Sequence, residues 1–109
     1  MSVPYRIVNN NLIFDIPEGD GTLVGFELDD FINDIMELYS ENIKVVGLNL
    51  SKKNYLNSTG LGELIKVKDT LLDEEIKLVL IAVGARIKSL LDMVGVEEFF
   101  NIFDREEDL

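Results

Sequence analysis

The sequence contains no cysteine and no histidine. Without cysteine there is no disulfide, no thiolate nucleophile and no thiolate metal site. Without histidine the commonest general base and metal ligand is missing, and no Ser-His triad can be assembled. No metal site and no cofactor is therefore expected. Basic residues are scarce as well, ten against twenty-one acidic ones, for a formal net charge of −11. A surface of that sign suits neither nucleic acid, whose phosphates need Lys and Arg, nor an anionic membrane. A basic or mixed protein surface is the better partner. Long apolar runs are lacking too: each is interrupted within a few residues, far short of a membrane span. Met1 is not followed by the basic-then-apolar pattern of a secretory leader, so a cytoplasmic location is expected. Carboxylates are so numerous that a pair of them says nothing about acid–base chemistry, and an enzyme is not expected. A small ligand is not excluded.

What is present fits one domain over residues 1–109, long enough to bury a core without cross-links. Tyr5–Val8 and Leu12–Ile16 are strand-like and flank Asn9-Asn10-Asn11, which reads as a tight hairpin turn. Pro17–Gly21 breaks the second strand. From Thr22 to Ser40 the spacing predicts a helix, with Val24, Leu28, Phe31, Ile32, Ile35 and Tyr39 on one face. Lys44–Leu50 and Lys77–Val83 are short, nearly all-apolar runs of the kind a sheet buried on both faces requires. Between them a helix is expected over Thr59–Leu72, ending at Asp73-Glu74-Glu75, where acidic residues oppose the helix dipole. A helix over Ala85–Val94 follows, with Gly95 as its cap. Val96–Phe103 is expected to supply a helical turn and an edge strand, and residues 104–109 a frayed charged tail. This order predicts an α/β domain with a mixed sheet of four to five strands, parallel in its core through right-handed crossovers, and amphipathic helices packed on it.

The chain is organised around Leu56-Asn57-Ser58-Thr59-Gly60-Leu61-Gly62, between an apolar strand and the apolar stripe Leu61, Leu64, Ile65, Leu71, Leu72. Either Asn57 or Ser58 can cap the helix through its side-chain oxygen. The hydroxyls of Ser58 and Thr59 then stand at a helix start, where partial positive charge favours an anion. Such a run is in most proteins only a cap and a turn.

Asn57-Ser58-Thr59-Gly60-Leu61-Gly62 resembles the D-S-[ST]-G-L-G signature of the STAS domain, the family of bacterial anti-sigma factor antagonists. Val45–Ser51 and Lys77–Val83 resemble the family's strands around that motif, and Ile87–Phe100 its Leu-, Gly- and Phe-marked ending. The family's usual Asp is Asn57 here. The resemblance implies Ser58 as a phosphoacceptor and an anti-sigma factor that is also a serine kinase as the partner. The partner is expected to meet the start of the helix, Asn57, Ser58, Thr59, Gly60 and Leu61, and its neighbouring loops Ser51–Tyr55 and Gly84–Arg86, with Lys52, Lys53, Gly84 and Ala85 among the contacts. These flanking loops follow parallel strands and should share an edge with Ser58. Lys52 and Lys53 put positive charge near Ser58, to attract phosphate or simply to form a polar loop. The alternative implied function is a constitutive interaction module regulating a transporter or a signalling complex, without phosphorylation.

Overall fold

Two asparagines make the first reversal. Asn9 and Asn10 have φ of 52° and 67°, a left-handed region that Asn tolerates better than most residues. Positive φ at both central positions matches the twist of a hairpin. It joins β1 (Tyr5–Val8) to β2 (Asn11–Asp15) as an antiparallel pair. The structure, a computed structural model, describes residues 4–19, 21–23, 33–35, 37, 43–93, 95 and 100–109.

After β2 come β3 (Thr22–Leu23), β4 (Val45–Asn49), β5 (Tyr55–Leu56), α1 (Ser58–Asp73), β6 (Lys77–Ile81), α2 (Ala85–Met93) and β7 (Asn101–Phe103). A 3-10 turn, Glu106–Asp108, follows. The main sheet has the order β1-β2-β4-β6-β7, with β2, β4, β6 and β7 all parallel. The expected mixed α/β sheet of four to five strands is thus observed, with five.

One sheet face carries Leu12, Phe14, Val46, Leu48, Leu78 and Leu80, all buried against Leu64, Val67 and Leu71 of α1 and Ile87 and Leu91 of α2. Each such side chain contributes about 1.5–3 kcal/mol when fully removed from water. The opposite face holds a smaller cluster of Ile13, Val79 and Ile81. Gly47 lies between these residues because a Cβ there would meet Ile81 Cδ1 at 2.8 Å and Ile13 Cδ1 at 3.2 Å.

The helix expected from Thr22 begins differently. Thr22–Leu23 is a strand paired in parallel with Tyr55–Leu56, a ribbon of two residues a side. The Gly21 carbonyl, accepting from the N–H groups of Asn54 and Tyr55, directs the chain into that pairing. Residues 33–35 and 37 are helical, and Ile35 is in the core. Val24, Leu28, Phe31, Ile32 and Tyr39 of the same expected helix lie outside the described residues, as does the expected turn over 96–99. The tail expected to fray instead makes its 3-10 turn beside the second sheet face, where Glu107 and Leu109 line a cavity of about 470 Å³ with Ile13. An apolar cluster on that face favours a covering segment.

Candidate phosphoacceptor and partner surface

The start of α1 is shaped by one side chain. Asn57 is the N-cap, extended at φ −89° and ψ 171°, and its Oδ1 accepts from the Gly60 N–H at 2.6 Å. Its own carbonyl takes the first helical bond, from Leu61 N–H at 2.9 Å. Of the two candidate caps, Asn57 therefore has the role, and Ser58 and Thr59 occupy the first two helical positions, both exposed. No acidic residue stands in this first turn. The Ser58 hydroxyl is thus free of capping duty at the positive end of a sixteen-residue helix.

Gly60 is buried for a reason the motif alone does not reveal. A Cβ on it would run into the Leu23 carbonyl of β3, so glycine lets β3 cross directly over the helix start. Lys53 reinforces that crossing. It is only 2% exposed, and its Nζ donates to the carbonyls of Glu18 and Thr22, each at 3.1 Å. Lys53 and Gly60 were both expected on the partner-facing surface, and their burial corrects that placement. Lys52, by contrast, is exposed, as are Ser51, Gly84 and Ala85, while Asn57 and Leu61 are half-buried.

Parallel β2, β4 and β6 bring their C-terminal ends to one edge, tied by Ile16 N–H to the Asn49 carbonyl and Leu50 N–H to the Ile81 carbonyl. The loops containing Ser51–Lys52 and Gly84–Ala85 therefore leave the sheet together, and α2 packs against β5 just before Ser58.

The expected loops Ser51–Tyr55 and Gly84–Arg86 do meet here, but two pairings at this edge were not expected. Arg86, on α2, places its guanidinium carbon 4.9 Å from the centroid of the Tyr55 ring. The sequence signal was an Arg and a Tyr at the ends of loops that parallel strands bring together. Arg6 makes a two-pronged bond to Asp15, Nε to Oδ2 at 2.8 Å and Nη2 to Oδ1 at 2.9 Å. Asn49 donates to the same carboxylate at 3.0 Å, and its Oδ1 accepts from the Ser51 N–H. The hydrogen bonds from Arg6 hold the Asp15 carboxyl below the usual carboxylate range, Asn49 and the charges of Arg6 and Lys52 add to this, and partial burial opposes it. Hairpin and loop are thereby locked together ahead of the helix start.

Among the described residues there is no cluster of three or more acidic metal ligands, and no helix is long and apolar enough to cross a membrane. Such a domain, with a parallel-cored sheet and an exposed hydroxyl pair at a capped helix start, belongs to the class of small α/β modules. The STAS domain model matches residues 4–109, and the chain belongs to that family. No protein of curated function matches its sequence directly. Its fold is similar to that of a candidate anti-sigma factor antagonist from Thermotoga maritima, at TM-score 0.76 and 17% identity over 97% of this chain and 89% of that one. A STAS protein from Planctomyces limnophilus, described as an anti-sigma-factor antagonist, gives 0.77 and 11% over 97% and 92%. A sulfate transporter family protein from Wolinella succinogenes gives 0.75 and 20% over 94% and 83%.

Proposed function

We propose that this domain is an anti-sigma factor antagonist in the cytoplasm that binds an anti-sigma factor when unmodified, releasing a sigma factor, and that phosphorylation of Ser58 by that partner ends the complex. The observation that carries this reading is the exposed Ser58 hydroxyl at the first position of α1, relieved of capping by Asn57. A phosphoryl group adds roughly −1.5 to −2 charges near neutral pH. At the helix start that charge is tolerated, yet inside a protein contact it must be desolvated beside whatever the partner presents. The chain is then a substrate and a binding module rather than an enzyme. Ser58, Thr59, Lys52, Gly84 and Ala85 form its accessible contact surface, over the support of Asn57 and Leu61.

The test uses the anti-sigma kinase of the source cell with ATP and peptide mass spectrometry, followed by affinity of the modified and unmodified chains for that kinase. Phosphate on Ser58 and at least a tenfold loss of affinity are expected. Modification at Thr59 alone, or none in the wild type, would sink the assignment.

One observation favours a second reading. Asn57 lacks the charge of the family's Asp, and its oxygen is already committed to the Gly60 N–H. A constitutive module serving a transporter or a signalling complex needs only that neutral cap, and the transporter-family likeness is compatible with it. Equal partner affinity with and without phosphate on Ser58 would select this reading.

A further inference from the structure

Among the described residues, the segments Ser51–Tyr55 and Gly84–Arg86 beside Ser58 carry three cations, Lys52, Lys53 and Arg86. Their situations differ. Lys53 is buried with its ammonium on two carbonyls. Lys52 is exposed and lends its field to Asp15. Arg86 is exposed, and among the described residues its guanidinium has an aromatic ring, not a carboxylate, as its neighbour. That ring, Tyr55, is itself 36% exposed. A cation resting on an aromatic face at an exposed site is held weakly. A two-pronged guanidinium–phosphate pair is stronger and more directional.

Chain geometry limits how far apart the two alternatives can lie. Tyr55 and Ser58 are three positions apart, and a fully extended chain of that length spans at most about 11 Å. α2, which carries Arg86, packs on β5, which carries Tyr55.

We infer that Arg86 is the receptor for a phosphoryl group on Ser58, leaving the Tyr55 ring to pair with the phosphate oxygens. This rests on Ser58 being the modified residue. Modification then has two effects on the contact surface. It adds negative charge that Arg86 partly neutralises, and it strips the cationic cover from Tyr55. A partner that reads Tyr55 with Arg86 stacked on it meets a different surface afterwards. Aromatic and arginine side chains are the groups most often decisive at the centre of protein contacts, so the rearrangement reaches where affinity resides.

The experiment installs phosphoserine at position 58 of the full chain by genetic encoding, which makes it independent of any kinase. NMR follows the Arg86 Nε–H and the Tyr55 ring protons in wild type and Arg86→Gln, each with serine or phosphoserine at position 58. In the wild type, phosphate is expected to move the Arg86 Nε–H downfield and slow its exchange at least tenfold. The Tyr55 ring signals should shift toward those of unmodified Arg86→Gln. Phosphorus NMR should show the second phosphate ionisation favoured at least threefold in wild type over Arg86→Gln, a difference that a purely structural Arg86 would not produce. Unchanged Arg86 and Tyr55 signals on phosphorylation would overturn the inference. If the installed phosphate recruits Arg86 but no kinase modifies Ser58, the inference stands and the proposed function falls. If a kinase modifies Ser58 and Arg86 stays on Tyr55, the reverse holds.

Discussion

At its start α1 is held by distant parts of the chain. Beyond the local Asn57 cap, β3 crosses over Gly60, and Lys53 binds the carbonyls of Glu18, ahead of β3, and Thr22, within it. At its end the same helix is closed by its own backbone: Glu75 turns to φ 62°, its N–H bonds the Leu72 carbonyl, and the Ile76 N–H bonds the Leu71 carbonyl. The closing pattern is local, a left-handed residue followed by a buried apolar one. The difference teaches where rigidity was needed. An end that only has to stop can be made from consecutive residues, whereas an end that presents a hydroxyl in fixed geometry is braced from several elements.

That contrast is open to direct attack. The largest effect is expected from Gly60→Ala, whose methyl group would press on the Leu23 backbone rather than on a side chain that can move aside. It should cost about 3 kcal/mol in urea unfolding, and a loss below about 1 kcal/mol would show that β3 does not brace the helix start. Next comes Lys53→Ala, which removes a buried ammonium together with its hydrogen bonds to the Glu18 and Thr22 carbonyls and should cost about 2 kcal/mol. The neighbouring Lys52→Ala should stay within about 0.5 kcal/mol, because that side chain is exposed. Equal effects from the two lysines would break the comparison.

Single substitutions at the two ends should then move stability in opposite directions. Asn57→Ala removes the cap and should cost about 1 kcal/mol, while Asn57→Asp should change it by less than about 0.5 kcal/mol. Glu75→Gly relieves a left-handed residue and removes an acid from the negative end of the helix, and should stabilise by about 1 kcal/mol. Thermal melts of the three variants suffice, and destabilisation by Glu75→Gly would refute the local account of that end.

The smallest effect concerns Asp15. Its carboxyl titrates lower folded than unfolded, so its contribution is present above the usual carboxylate value near 3.8 and is lost as pH falls through the folded value. With both side chains partly in solvent, the Arg6 pair should be worth under about 1 kcal/mol at neutral pH. The stability advantage of wild type over Asp15→Asn should therefore shrink as acid unfolding is followed from pH 5 to pH 2. A growing advantage would reverse the sign of the argument.

How much of this the sequence discloses depends on the range of the forces involved. The Asn9–Asn10 turn, β4, β6, α2 and the extent of α1 are legible because each follows from neighbouring residues: a turn-forming pair, an apolar run, a helical period. The α1 bounds, Ser58–Asp73, differ from the expected Thr59–Leu72 by one residue at each end. The β3–β5 ribbon is not legible, since two residues a side show no period, and its existence depends on a glycine elsewhere that permits close approach. Lys53 misleads for a similar reason. Its type predicts solvent, yet the ammonium finds two carbonyls that only the fold brings near. The candidate site divides in the same way: the position of Ser58 reads from the motif, whereas the partners Tyr55, Arg86 and Asp15 acquire at this edge require the tertiary arrangement.

The Asn9–Asn10 reversal also bears on the order of events when the chain folds. β1 and β2 are joined by those two residues alone, and a hairpin of this kind forms in about 1–10 μs. β2 has to wait for β4, because everything from Ile16 to Lys44 must first be drawn into a loop, and parallel neighbours cannot be made by a short turn. The first hairpin is therefore expected to act as the template on which β4, then β6, then β7 are laid in register. Until β4 arrives, the Asn11–Asp15 edge is unpaired, and in a concentrated solution another chain can dock there first. Pulse-labelling hydrogen exchange during refolding should find the amides of Val8 and Asn11 protected before that of Val79. Simultaneous protection would mean that the strands assemble together, without a template.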